Sequence, residues 1–313
     1  MKLLIFGSQG FVGKHLLQDL NTPENILIAV DLLDDSAEDI FSFKNTQSKF
    51  VSGNINSSST LEKIGSVSDV DYIYFLAAHP KMTSSADINE SLETLNHVFD
   101  FLIKESFSGI FCYFSSSAVY GVQEAQQELT ETVIPNPNSP YGISKTIGET
   151  LTRYKSINNK FRYLIVRPFN LIGSGQSESF FASNMIRQLA LIKAGKSKSE
   201  IKLGNLSSSR DFVDVRDLVN AIRLLREKSK NNETYNVASG KTWGLEEVLN
   251  KGLLLVDTQV KVLQETLDQS PIKHQKSSYT KISNAVGWKP EISLENSLSD
   301  MMNYWLKREG KSI

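Results

Sequence analysis

The 313-residue sequence predicts an α/β protein: a doubly wound parallel sheet joined to a small second α/β lobe. Three observations carry this. Continuously apolar runs alternate with helical stretches through the first half, the pattern of strands buried on both faces of a parallel sheet. The first run leads straight into GSQGFVG, in which Gly7, Gly10 and Gly13 stand three apart at a strand-to-helix junction. The second half changes character, with scattered short strands and helices, yet no low-complexity linker and no internal repeat separates the halves.

Taken in order, the strand-like runs are residues 3–6, 26–30, 50–51, 72–77, 110–114 and 163–166. Helical stretches fall between them at 12–20, 58–64, 85–105 and 144–156. Such β-α alternation builds a sheet wound in both directions, with ligands at the strand carboxyl ends where the order reverses. Further on, a helix at 180–194 precedes the polar stretch 195–200 and a short strand at 201–203. The run Arg210-Asp211-Phe212-Val213-Asp214 follows, then a helix to about Glu227, a strand at 235–237, and a closing amphipathic helix near 294–306.

Composition narrows the classes. Hydrophobic residues make up 40% and charged residues 22%, ordinary for a soluble enzyme. A formal net charge of −1 leaves no broad footprint for nucleic acid or an anionic membrane. No apolar run approaches the roughly 20 residues that span a bilayer, and the N-terminal run is too short for a signal peptide. The single cysteine, Cys112, lies in an apolar run and reads as a buried strand residue, which fits a cytoplasmic location. Four scattered histidines (His15, His79, His97 and His274) show no ligand spacing, so no metal is expected.

Glycines between a strand and a helix let the backbone approach a pyrophosphate, and the helix start supplies N–H donors through Phe11, Val12 and Gly13. A tight turn would use the same glycines. Asp31 decides between the two readings: it ends the second strand, about where a carboxylate binds the ribose diol of a dinucleotide. An acid there repels a 2′-phosphate, so NAD(H) is favoured and NADP(H) is the second choice. Neighbouring Asp34 and Asp35 support the alternative that Asp31 is one of several solvated loop acids. Asn54 and Ile55 follow the third strand, where an adenine could rest. Leu76, Ala77 and Ala78 end the fourth, with small side chains for a cofactor to pass.

Pro140-Tyr141-Gly142-Ile143-Ser144-Lys145 is the most informative stretch. Tyr141 and Lys145 are four apart at a helix start and share a face. A phenol has a free pKa near 10, and a nearby ammonium favours its ionised form, so the pair is a tunable acid/base. Phe114-Ser115-Ser116-Ser117-Ala118 follows the fifth strand at the same sheet edge, where a serine hydroxyl can hold a substrate oxygen as its charge changes.

Together, GSQGFVG, SSSAVYG, SPYGISK, VRPFNLIGSGQ, SRDFVDVRDLV, YNVASG and GWKPEISLENSL resemble, in order and nearly end to end, the motifs of extended short-chain dehydrogenase/reductases acting on nucleotide sugars. The resemblance implies a Rossmann-type domain over residues 1–168, with a return segment near 211–237, and a nucleotide-sugar lobe formed mainly by 169–313. It implies a catalytic set of Ser116, Tyr141 and Lys145, with Lys145 also on the nicotinamide ribose and Phe169 among the cofactor contacts. Ser117, Asn170, Arg187 and Arg210 would meet the substrate, the last as a phosphate partner. It also implies a homodimer through the helices at 85–105 and 144–156.

Within the family the chain is most similar to GDP-4-keto-6-deoxymannose reductases, through Ile134-Pro135-Asn136-Pro137, Arg187-Gln188 and Ile201-Lys202-Leu203-Gly204-Asn205-Leu206. Two features depart from that group. Ser117-Ala118 stand where those reductases tend to have Gly-Asp, nearer the sugar 4-epimerase pattern. Residues 267–276 lack the arginine often found there, leaving Lys273, His274 or Lys276 as substitutes. The same positions, 117 and 118, hold an acid pair in sugar 4,6-dehydratases, so water elimination by that route is not expected. The readings left open are reduction of a 4-keto-6-deoxyhexose, a 4-epimerase that keeps NAD bound, and a non-catalytic dinucleotide sensor.

Overall fold

A computed structural model of the chain describes residues 1–32, 42–78, 82–122, 127–264 and 275–310. In chain order, the first elements are β1 (Lys2–Phe6), α1 (Phe11–Leu20), β2 (Ile26–Asp31), β3 (Lys49–Ser52), α2 (Ser58–Ile64), β4 (Tyr72–Phe75), α3 (Ser85–Lys104) and β5 (Ile110–Phe114). Next come a 3-10 turn (Ser117–Tyr120), β6 (Glu128–Leu129), α4 (Pro140–Ile157), β7 (Arg162–Pro168), β8 (Asn170–Ile172), α5 (Phe181–Lys193), β9 (Glu200–Leu203) and β10 (Ser209–Asp214). The last are α6 (Val215–Lys228), β11 (Glu233–Val237), β12 (Thr242–Gly244), α7 (Leu245–Leu253), β13 (Lys261–Gln264), β14 (Lys276–Ser277), α8 (Thr280–Val286) and α9 (Leu294–Gly310).

The main sheet has seven strands in the order β11-β7-β5-β4-β1-β2-β3. The pairs β1–β2, β2–β3, β1–β4, β4–β5 and β5–β7 are all parallel. β1, β4 and β5 are buried along almost their whole length, which explains their unbroken apolar sequence. Strand order reverses between β1 and β4, so the loops after Phe6 and after Phe75 meet at the point where such sheets take ligands. The Rossmann-type expectation is met.

The chain forms two compact units: residues 1–121, 134–167 and 226–235, and residues 122–133, 168–225 and 236–313. The first is built on the main sheet and an aromatic core in which Phe75, Phe99, Phe111 and Phe161 contact one another. The second differs from the expected lobe because pairing, not sequence position, assigns its strands. β6 pairs with β14, drawing in residues 122–133, and β10 pairs with β8 and β12, drawing in residues that the expectation gave to the return segment. Its core is α5, α7 and α9 around Met185, Leu189, Leu249, Met301 and Trp305.

The GWKP motif has a structural use in the second unit. Trp288 is 1% exposed, its Nε1 donates to the Asp217 carbonyl at 3.0 Å, and the Asp217 carboxylate accepts the N–H groups of Glu291 and Ile292. This tethers the segment ahead of α9 to α6.

Several boundaries differ from expectation. β4 ends at Phe75, not 77, leaving Leu76–Ala78 as irregular backbone. α4 starts at Pro140, with the Ser139 hydroxyl accepting from the Gly142 N–H, so Tyr141 lies inside the helix's first turn. β8, β12, β13 and α7 escape a reading by apolar runs because they are short or half-exposed. The two helices expected to form a dimer carry apolar residues in two surroundings. Leu95, Val98, Phe99 and Leu102 of α3 pack into the unit's own core, whereas Ile147 and Tyr154 of α4 are exposed.

Candidate active site

The glycine loop owes its shape to backbone crowding. Gly7 has φ +82°, and a Cβ there would lie 2.8 Å from the Ala77 nitrogen, so β1 turns directly against the backbone after β4. A Cβ on Gly13 would enter the Gly7 carbonyl, whereas one on Gly10 would meet only that oxygen, at 3.3 Å. The three glycines therefore serve different ends: Gly7 and Gly13 close the turn, and Gly10 keeps the loop's outer side open. α1 begins without a side-chain cap, leaving the N–H groups of its first turn, from Phe11 on, to other partners. Inside the loop the Ser8 hydroxyl is buried without a partner among the described residues. Open donors, an open glycine and an orphaned hydroxyl at a sheet switch point fit a dinucleotide pyrophosphate.

Asp31 sits beside this loop. Its Oδ2 accepts the Gln9 N–H at 2.6 Å and its Oδ1 the Leu32 N–H at 2.7 Å. The carboxylate is fixed at the end of β2 and still has lone pairs for a diol. Asn54 and Ile55 follow β3: Asn54 Oδ1 accepts the Asn56 N–H at 2.9 Å, and Ile55 packs against the core. Leu76, Ala77 and Ala78 follow β4 and range from half-buried to exposed. The glycine loop, Asp31, Asn54 and Leu76–Ala78 thus follow four of the strands β1–β4 at one edge of one sheet.

Ser116, Tyr141 and Lys145 gather at the neighbouring strand end. Ser116 leads into the 3-10 turn, its Oγ accepting the Ala118 N–H at 3.1 Å and lying close enough to the Tyr141 hydroxyl to act on its proton. Burial pushes that hydroxyl up to about 12, and Ser116 works in the opposite direction. Lys145 Nζ donates to the Phe114 carbonyl at 2.7 Å and lies 5.1 Å from the Tyr113 ring centre and 5.6 Å from that of Tyr141. Burial lowers Lys145 to about 8, with the Glu149 carboxylate working to keep it charged. The sequence expects the ammonium to favour the ionised phenol; burial acts in the other direction. Desolvation sets the Tyr141 proton, because the buried helix face offers little solvation to a phenolate.

Close approach makes this arrangement possible. A Cβ on Gly142 would lie 2.5 Å from the Ala118 carbonyl, and one on Gly148 would enter the Tyr113 hydroxyl. α4 thus rests directly on β5 and the turn after it. Ser117 is buried in that turn, and neither it nor Ala118 carries an acid.

A network behind the trio was missed in the sequence. Glu149 is almost fully buried and accepts Arg167 Nε and Nη2 at 2.7 Å each, Arg153 Nη2 at 2.9 Å and Ser115 Oγ at 2.6 Å. Arg167 Nη1 donates to the Tyr120 hydroxyl at 2.9 Å. Glu149 is four residues after Lys145 on the same helix face, which is a legible signal. Arg167 closes an apolar strand, where a charge must have a partner.

The remaining candidates belong to the second unit. Phe169 is buried, and its N–H donates to the Val237 carbonyl at 2.9 Å. Asn170 Nδ2 donates to the Asp211 carbonyl and to Gln275 Oε1, both at 2.9 Å. Arg210 Nη1 donates to the Ser209 carbonyl at 2.8 Å, and burial lowers its guanidinium from the usual value. Arg187 pairs with Glu178 at 2.7 Å and Glu309 at 3.1 Å and lies over the Trp305 ring, so its charge is engaged within the lobe. Lys273 and His274 lie outside the described residues; Lys276 is exposed at the start of β14.

Residues 3–238 match the model of a family described as the NAD dependent epimerase/dehydratase family. The chain is 30% identical to GDP-6-deoxy-D-mannose reductase of Pseudomonas aeruginosa, with 98% of each chain covered. It is 27% identical to a putative UDP-glucose 4-epimerase of Methanocaldococcus jannaschii, over 99% of this chain and all of that one. Among solved structures, RMD from Pseudomonas aeruginosa complexed with NADPH superimposes with a TM-score of 0.83 at 28% identity, covering 98% of this chain and 99% of that one.

Proposed function

The chain belongs to the NAD dependent epimerase/dehydratase family, and from that premise we propose that it reduces the C4 ketone of a nucleotide-linked 4-keto-6-deoxyhexose. The bound nicotinamide, NAD(H) in preference to NADP(H), supplies the hydride. Tyr141 protonates the oxygen that becomes the alcohol, Ser116 orients the carbonyl, and Lys145 holds the ribose and its charge beside the phenol. Gly7, Gly10, Phe11, Val12 and Gly13 hold the pyrophosphate, Asp31 the ribose, and Asn54, Ile55, Leu76, Ala77, Ala78 and Phe169 the rest of the cofactor. Ser117, Asn170 and Arg210 are the substrate contacts in this reading; Arg187 joins them only by exchanging its Glu178 and Glu309 partners for the substrate.

The observation that carries it is the placement of the Tyr141 phenol beside Lys145 and Ser116 at the end of β5, where it can hand a proton to a carbonyl oxygen. Reduction needs a proton donor at the start of the cycle; epimerisation begins by removing a proton and needs a base. Similarity to the Pseudomonas reductase supports the same choice and makes a GDP-linked sugar the first substrate to try. The second reading, a 4-epimerase, is favoured by Ser117-Ala118 and by the similarity to the Methanocaldococcus protein. A homodimer through the exposed α4 stripe of Ile143, Ile147, Tyr154 and Ile157 accompanies either reading and is checked by sedimentation.

One experiment separates the readings. Nucleotide is released from denatured protein and identified by mass, and NADH and NADPH oxidation is followed with GDP- and dTDP-linked 4-keto-6-deoxyhexoses. Substrate-dependent loss of reduced coenzyme is the expected result. Stoichiometric NAD⁺ with no net consumption establishes the epimerase instead. In the same assay, Asp31→Asn is expected to raise the NADPH:NADH ratio of kcat/KM about tenfold, since removing one charge beside a phosphate is worth about 1.4 kcal/mol at short range. An unchanged ratio removes Asp31 from coenzyme selection.

A further inference from the structure

We propose that Glu149 is the positioning residue of this site: clamped by Arg167 and bonded to Ser115, its carboxylate holds Lys145 in register with Ser116 and Tyr141. The argument starts from the helix. Lys145 and Glu149 are one turn apart on the face of α4 that rests on β5. Both are buried, with 4% and 1% of their surface exposed. A buried ammonium four residues from a buried carboxylate gains charge stabilisation that solvent does not screen.

The clamp has two connections to the reacting groups. Through charge, the Glu149 carboxylate acts on Lys145 from one helical turn away, without an ion pair between them. Around that ammonium the titratable groups are Tyr141 and Glu149 on its own helix and Tyr113 on β5; Arg153 and Arg167 act on it through Glu149. Through hydrogen bonds, Glu149 Oε1 takes the Ser115 hydroxyl. Ser115 lies between Phe114, whose carbonyl accepts Lys145 Nζ, and Ser116, which contacts Tyr141. One carboxylate therefore fixes the strand end that carries both partners of the pair. Arg167 makes this affordable, because a lone buried carboxylate would take up a proton and lose the charge.

The two connections separate by substitution. Glu149→Gln removes the charge, Glu149→Asp retains it, and Ser115→Ala removes only a hydrogen bond. The readout is the titration of Lys145 followed by the NMR resonance of its ¹³C-labelled ε-carbon, assigned by its loss in Lys145→Arg. Expected is a midpoint near 8 in the wild type, about one pH unit lower in Glu149→Gln, and near the wild-type value in Glu149→Asp and Ser115→Ala. The alkaline limb of kcat/KM for the reduction moves with it. Should Glu149→Gln fail to fold, the double variant Glu149→Gln/Arg167→Met, in which only the half-buried Arg153 loses its carboxylate partner, carries the same readout. An unmoved Lys145 midpoint with a reduced rate overturns the proposal and leaves Glu149 a packing residue. The kinetic part rests on the reductase reading, but the titration needs no substrate: a shifted midpoint in a protein inactive on keto sugars refutes that reading alone.

Discussion

Tyr141→Phe is expected to lower turnover of a 4-keto-6-deoxy sugar nucleotide by about 10²–10⁴-fold, the worth of a positioned proton donor, while the fold and cofactor binding persist. The substitution deletes one oxygen and keeps the ring over which Lys145 lies at 5.6 Å. Its structural cost is the single contact with Ser116, about 1 kcal/mol. Rate and stability should therefore part company, with turnover nearly abolished and the melting temperature little changed. The pH dependence sharpens the test. Tyr141 sits at about 12 and Lys145 at about 8, so the wild-type alkaline limb follows the lysine. Reduction that continues at the wild-type rate in Tyr141→Phe would assign the proton to another group and remove the mechanism given above.

The second large effect is on stability. Arg167→Ala should cost about 3–5 kcal/mol, because it strands a buried carboxylate. The Arg167 and Glu149 side chains are 4% and 1% exposed, whereas the Lys2–Asp69 pair at 2.7 Å includes an aspartate 67% exposed. Lys2→Ala is the matched control and should cost less than about 1 kcal/mol. The sign of the pH dependence follows from Glu149. Burial alone would raise its pKa; the Arg167 hydrogen bonds and charge, with Ser115 and Arg153, bring it below the usual carboxylate range. A depressed carboxylate contributes stability that is present above its unfolded value and is lost as pH falls through the folded one. In Arg167→Ala burial is opposed only by the remaining partners, so Glu149 protonates more readily. Urea unfolding at about pH 7 and about pH 5 should show the deficit shrinking on acidification. A deficit that does not change with pH would mean the loss is one of packing and not of charge pairing.

By itself the sequence determined what is repetitive or local. Unbroken apolar runs of four to six residues become β1, β4 and β5 because a doubly covered parallel strand accepts little else. The spacing of Gly7, Gly10 and Gly13, and of Tyr141 and Lys145, is legible because a turn and a helix convert sequence intervals into fixed distances. Asp31 belongs with them, since the end of β2 follows from the run before it.

Tertiary structure alone decided the rest. Nothing local says that Gly7 lies against the Ala77 backbone or that Gly148 makes room for Tyr113; those are meetings of segments far apart in the chain. The proton on Tyr141 depends on how much water the packed helix excludes, which is a sum over many neighbours and has no motif. Short strands such as β6 and β14 are two residues each and acquire their unit only by pairing with one another. Glu149 and Arg167 each carry a local signal, but nothing in the 18 residues between them says that they pair. Folding puts both in a low-dielectric interior, where buried charges of opposite sign must meet.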